Sequence, residues 1–230
     1  MKALIFAAGR GVRMMPLTAT TPKPLLKLLG KPILEHILEA LPETVDEIIV
    51  VVGYMGDKIK DYLGNEWRGK PIIYVEQKEQ LGTGNALMAC QSHIAAGERF
   101  LVIYADDMHD KGALSAAILK NKQAIFVARV RYPERFGIVV TNASGRVLGL
   151  EEAPKEPKTD LAVTGAYLLD SNIFKYPPAP ESNGEYYINS MLAPYMRDYE
   201  VYAEIEELWV PIGYPGDLKK AAEALKTSHG

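Results

Sequence analysis

Residues 2–18 read KALIFAAGRGVRMMPLT, and residues 22–25 follow with PKPL. The first seven are apolar apart from Lys2 and too few to span a membrane, so 2–8 reads as a buried strand. The glycines and arginines after it form a loop. In an open α/β sheet, a loop leaving the carboxyl end of a parallel strand lies where ligands bind. Gly9 and Gly11 let the backbone approach a ligand and turn several N–H groups toward one anion. Arg13 adds a guanidinium fork and Lys23 a compact ammonium. The chemistry implied is the binding of a polyphosphate.

Outward from this loop, strand and helix patterns alternate. Strands are expected at 47–52, 71–75, 99–104 and 124–130, with helices at 32–41, 58–63, 83–94 and 114–120. That alternation predicts a three-layer, Rossmann-like α/β fold, a mostly parallel sheet with helices on both faces. The second half departs from it. Segments 137–141 and 147–150 flank Asn142-Ala143-Ser144-Gly145 and predict an added hairpin. A strand at 161–169, a helix at 187–196 broken or ended near Pro194, a strand at 201–205 and a closing helix at 217–225 complete the pattern. Segments 154–158 and 177–184 read as loops, not linkers, so 1–230 is expected to be a single domain.

The 230 residues can enclose a large core, and 48% hydrophobic with 24% charged residues is ordinary for a globular chain. A net charge of −3 argues against a nucleic-acid or anionic-membrane partner. Cys90 is the only cysteine and sits among apolar residues, which predicts a buried structural thiol and a reducing, cytoplasmic setting. The start lacks a signal-peptide pattern, and no apolar run reaches membrane-spanning length.

Two phosphate-binding fingerprints are excluded at once. A dinucleotide-binding loop needs a third glycine where Met14 stands, and a P-loop needs a Gly-Lys-Ser/Thr that is absent. Further along, Gln77-Lys78-Glu79-Gln80-Leu81-Gly82-Thr83 joins a strand to a helix. Gln77 carries a donor and an acceptor suited to a pyrimidine edge, and Gly82 with Thr83 opens a helix. Tyr104-Ala105-Asp106-Asp107 ends a strand, and a carboxylate there suits Mg²⁺ bridging phosphates.

The string Ala-Ala-Gly-x-Gly-x-Arg-Met-x-Pro-Leu-Thr at 7–18, with Pro-Lys-Pro-Leu at 22–25, resembles the signature of the sugar nucleotidyltransferases. That group includes glucose-1-phosphate thymidylyltransferase and the uridylyltransferases of N-acetylglucosamine 1-phosphate. The resemblance extends to about residue 225. It implies a pyrophosphate-releasing enzyme that joins a nucleoside triphosphate, UTP or dTTP, to a sugar 1-phosphate, with glucose 1-phosphate favoured. Arg13 and Lys23 would be catalytic, while Ala8, Gly9, Gly11, Gln77, Gly82 and Thr83 would hold the nucleotide. Tyr104, Gly137, Glu152 and Thr164 would face the sugar phosphate, and Asp106 would bind Mg²⁺. A homo-oligomer is compatible with all of this.

Two positions depart from the family pattern. Ala153 follows Glu152 where a lysine usually holds the sugar phosphate, and Pro211 replaces the Asp of a Trp-x-Asp-x-Gly element. They motivate a rival, a nucleotide-binding regulator that transfers nothing. A third reading, a cytidylyltransferase acting on a small phosphate ester, is opposed by Gln77 and by the likeness at 150–167.

Overall fold

The computed structural model describes residues 1–228. The chain opens with β1 (Lys2–Ala7) and passes through short 3₁₀ turns and the two-residue strands β2 (Lys27–Leu28) and β3 (Lys31–Pro32) to α1 (Ile33–Ala40). Next come β4 (Glu47–Val52), α2 (Gly56–Leu63), β5 (Glu66–Trp67), β6 (Lys70–Glu76) and α3 (Thr83–Ala89). Then follow β7 (Arg99–Tyr104), β8 (Asp107–Met108), α4 (Lys111–Leu119) and β9 (Gln123–Arg129). The second half holds β10 (Gly137–Thr141), β11 (Val147–Glu152), β12 (Leu161–Asp170), α5 (Ile188–Asp198), β13 (Val201–Ile205), β14 (Val210–Pro211) and α6 (Asp217–Ser228).

One ten-stranded sheet carries the molecule. Its path is β11-β10-β12-β7-β1-β4-β6-β5, with β9 paired to β12 and β13 paired to β9. β1 lies between β4 and β7, parallel to both, and β6 continues the parallel run. β12 runs antiparallel to both β7 and β9. β9 therefore points the same way as β1, and β13, parallel to β9, does too. The expected hairpin is β10–β11, where the Asn142 carboxamide oxygen accepts the N–H groups of Ser144 and Arg146 at 3.0 Å.

Alternate residues of the central strands feed two cores, as the period-two geometry of a strand requires. Ile5, Val50 and Ile103 face α1, α2, α4 and α6, whose Ile37, Ile59, Leu114 and Ala221 meet them. Leu4, Val51 and Val102 face α3 and α5 through Leu87, Met191 and Tyr195. β4 is buried at every residue after Glu47, which suits a parallel strand covered on both faces. Each such Val or Ile contributes about 1.5–3 kcal/mol by leaving water.

Two helix expectations need correction. The helix expected over 83–94 stops at Ala89 and gives way to a 3₁₀ turn at Gln91–His93, which tightens the chain into Ile94 in extended geometry. The helix containing Pro194 neither ends nor divides there and runs on to Asp198. Ile188, Met191, Leu192 and Tyr195 form one buried face, and that burial outweighs the hydrogen bond the proline removes. Among the described residues no helix is long and apolar enough to cross a membrane.

Candidate active site

Four of the parallel strands, β1, β4, β6 and β7, end at one edge of the sheet, and the loop after β1 folds back across that edge. Gly11 sits there at φ 61, ψ 37, a left-handed conformation that disfavours any residue with a Cβ. An added Cβ would also press on Lys23 and Thr18, both at 3.1 Å. Thr18 secures the turn by donating its hydroxyl to the Gly11 carbonyl at 2.9 Å. At Gly9 a Cβ would meet nothing within 4 Å, so that backbone faces open space.

The turn that follows presents Arg13 at the surface, its guanidinium 5.6 Å from the centre of the Tyr214 ring. That aromatic face can steady the cation. Lys23 begins a third 3₁₀ turn fixed by Pro22 and Pro24. Only 7% of Lys23 is exposed, and its ammonium lies 2.9 Å from an Asp106 carboxylate oxygen. Ala8, buried at the end of β1, accepts the Tyr54 N–H through its carbonyl at 3.1 Å.

Gln77, buried after β6, donates its amide to the Gly82 carbonyl and to the Asn85 side chain, both at 2.9 Å. Its side-chain carbonyl is left as an acceptor. Gly82 has φ 93, and a Cβ there would stand 2.7 Å from the Tyr186 carbonyl. The absence of a side chain at 82 thus admits the backbone of 186. The Thr83 hydroxyl accepts the Ile188 N–H at 3.1 Å, tying α3 to the start of α5.

These residues line one cleft of about 450 Å³. It brings together Ala8, Gly9, Gly11, Arg13, Lys23, Gln77, Gly82, Thr83, Tyr104 and Asp106, and adds Arg10, Gln80, Glu185 and Gly213. Tyr104 stacks on Phe6 and meets Tyr167 at a tilt, with 5.8 Å to each ring centre. Burial pushes its hydroxyl up to about 12, so it stays protonated as a donor.

Gly137, Glu152 and Asn189 form a neighbouring cluster. The Asn189 amide donates to Glu152 at 3.3 Å, and a Cβ at Gly137 would sit 2.8 Å from the same carboxylate oxygen. Burial raises the Glu152 pKa above the usual carboxylate value. Thr164 lies outside both groups. Its hydroxyl is buried and donates to the Phe126 carbonyl at 3.1 Å, which ties this side chain into the sheet.

Asp107, which the sequence left without a role, braces the cleft. One carboxylate oxygen accepts the Trp209 indole N–H at 3.1 Å and the other the Ile212 backbone N–H at 3.2 Å. Pro211 is its partner in the β8–β14 ladder. Burial, and then the charge of Asp106, push Asp107 up to about 7. Behind it, the fully buried His109 and Glu206 side chains meet at 3.1 Å. Burial opposes the charge on His109, but Glu206 overcomes it and raises the pKa.

Asp106 is 39% exposed at the cleft mouth. Among the described residues no group of three or more His, Cys, Asp or Glu is arranged to hold a metal. One carboxylate completed by phosphate oxygens and water is nevertheless a donor set that Mg²⁺ accepts. Cys90 is buried, and burial lifts its thiol to about 12, which agrees with a structural role.

The family model described as nucleotidyl transferase matches residues 2–228. The chain is 33% identical over 228 residues to the bifunctional protein GlmU of Methanocaldococcus jannaschii, covering 98% of this chain and 54% of that protein. It thus spans about half the length of that relative. It is also 33% identical to the UTP–glucose-1-phosphate uridylyltransferase AglF of Haloferax volcanii, covering 98% and 97% of the two chains. A Bacillus anthracis structure assigned as a glucose-1-phosphate thymidylyltransferase superposes with a TM-score of 0.85 at 28% identity, covering 97% of this chain and 94% of the other.

Proposed function

The chain belongs to the nucleotidyl transferase family, and from that premise we propose that it joins UTP or dTTP to a sugar 1-phosphate, glucose 1-phosphate by preference. An NDP-sugar forms and pyrophosphate leaves. The observation that carries this reading is the shared cleft of Arg13, Lys23, Gln77 and Asp106. Three separate segments of chain converge there, each bringing chemistry a triphosphate needs.

An oxygen of the sugar phosphate is already an anionic nucleophile, so attack at the α-phosphorus needs no covalent enzyme intermediate. Catalysis then consists of alignment and charge neutralisation. The open backbone at Gly9 lets the triphosphate lie against the loop. Arg13 meets the departing pyrophosphate with a fork of N–H donors. Lys23, largely buried at the cleft, sits nearer the reacting phosphate. The free carbonyl of Gln77 accepts the ring N–H of uracil or thymine, an atom that cytosine lacks in its neutral form. Glu152 and the backbone at Gly137 accept and donate to the sugar hydroxyls. Asp106 would hold Mg²⁺, which when bound neutralises charge on the phosphates.

Ala153 and Pro211 favour one alternative, a relative that binds the triphosphate without transferring it. A matrix of triphosphates against sugar 1-phosphates with Mg²⁺, read as pyrophosphate release, separates the two. Release with UTP or dTTP and glucose 1-phosphate supports the enzyme. Triphosphate binding with silence across the matrix supports the regulator.

A further inference from the structure

A second cavity, of about 390 Å³, lies on the far side of the Asp107 brace and shares Glu206, Trp209 and Pro211 with it. Its floor is where β9 ends at Arg129 and β13 ends at Ile205. Both strands point the same way as β1, so this cavity occupies the same carboxyl edge of the sheet as the triphosphate cleft. That edge is where an open α/β sheet binds ligands.

The lining is cationic and aromatic. Arg129 is held by Asp160 at 2.6 and 2.9 Å. Among the described residues neither Arg131 nor Arg135 makes an ion pair, while the Arg131 guanidinium stands 5.3 Å from the centre of the Tyr132 ring. The two lining carboxylates do not cancel them. Glu206 is buried and engaged by His109 and the Asp110 N–H, and Glu207 is a single exposed charge. Phe136 and Trp209 meet edge to face at 5.5 Å to form an apolar wall. Two guanidinium forks without ion-pair partners, that of Arg131 beside an aromatic face, match a phosphate joined to a sugar or base.

We propose that this cavity is a second ligand site that takes a phosphate monoester, separate from the cleft that holds the triphosphate. Trp209 links the two, because its indole N–H is bonded to Asp107, the neighbour of Asp106.

The chain has two tryptophans, so Trp67→Phe leaves Trp209 as the only indole reporter. Its fluorescence is titrated with UMP, glucose 6-phosphate and inorganic phosphate in separate arms. At least one arm is expected to give a saturable change, and the strongest arm identifies whether base, sugar or phosphate alone is recognised. Arg131→Gln combined with Arg135→Gln should weaken that binding tenfold or more, and Arg13→Ala should leave it within twofold. No saturable change in any arm overturns the proposal, as does a response lost with Arg13→Ala but kept in the double variant. In the pyrophosphate assay with UTP and glucose 1-phosphate, the double variant should keep its acceptor KM within twofold. A tenfold rise would make the cavity part of the acceptor site and would also overturn the proposal. If the wild type releases no pyrophosphate, the fluorescence arms still decide the question.

Discussion

At the scale of single residues, Arg13 is the sharpest test of the cleft. Its side chain is exposed, with the guanidinium near the Tyr214 ring, so truncation removes charge and disturbs little packing. Arg13→Ala is expected to lower turnover about 10²–10³-fold, the usual cost of a lost transition-state donor, with an unchanged circular dichroism spectrum. Undiminished pyrophosphate release would remove Arg13 from the mechanism. Ala153 tests the acceptor side. It stands at φ 40, with its N–H donated to the Phe136 carbonyl, where the family pattern has lysine. Ala153→Lys should raise kcat/KM for glucose 1-phosphate about tenfold or more if the missing cation limits the wild type. A flat response would mean that another group already holds the acceptor phosphate. Gly82 makes a different demand, because its φ of 93 and the Tyr186 carbonyl leave no room for a methyl. Gly82→Ala should cost about 1–3 kcal/mol in urea unfolding.

At the scale of elements, the informative piece is the two-residue ladder of β8 and β14 with the buried pair behind it. His109→Leu would leave the Glu206 carboxylate enclosed without its counter-charge, an arrangement that costs about 3–5 kcal/mol. The pH dependence follows from the direction of the shift. The pKa of His109 is raised in the fold, so the stability it contributes is full below its unfolded value of about 6.5 and is lost as pH rises through the higher folded value. Urea midpoints measured from pH 5 to 9 should fall across that window in the wild type relative to His109→Leu, and parallel curves would disprove the linkage.

That same ladder marks where legibility ended. The glycine loop, Gln77 and Asp106 could be placed from sequence because each follows closely on a strand of six or seven residues. The bracing of Asp107 against Ile212 joins positions 105 residues apart, through strands too short to show any periodicity. Asn189 was missed for a related reason. At the second position of α5 it looks like a solvated surface residue, and only the approach of β11 brings Glu152 to it. Thr164 lies apart from both clusters, and a strand residue beside a motif glycine carries no sign of which face it takes.

For the whole molecule, the continuity of the sheet has a thermodynamic consequence. β5 and β13 stand at opposite limits of one hydrogen-bonded array, and both cores cross it from the first-half strands to those of the second half. Ala3, Ile5 and Ile48 share one cluster with Ala124, Phe126 and Ala166. Leu4 and Ile49 share the other with Ile125, Tyr167 and Val201. No plane divides the chain without exposing apolar surface on both sides, so we expect one cooperative unit. The two tryptophans are placed to test this. Trp67 lies in β5 at one limit of the sheet, and Trp209 lies beside β14, near the ends of β9 and β13. Urea unfolding followed by fluorescence in Trp67→Phe and in Trp209→Phe therefore watches the opposite limits one at a time. After correction for each variant's own stability by circular dichroism, the optical and fluorescence midpoints should coincide in both proteins. A Trp209 transition that precedes loss of the helical signal would separate the second half as its own unit. The region around Asp107 would then be a boundary between two domains and no longer an internal brace.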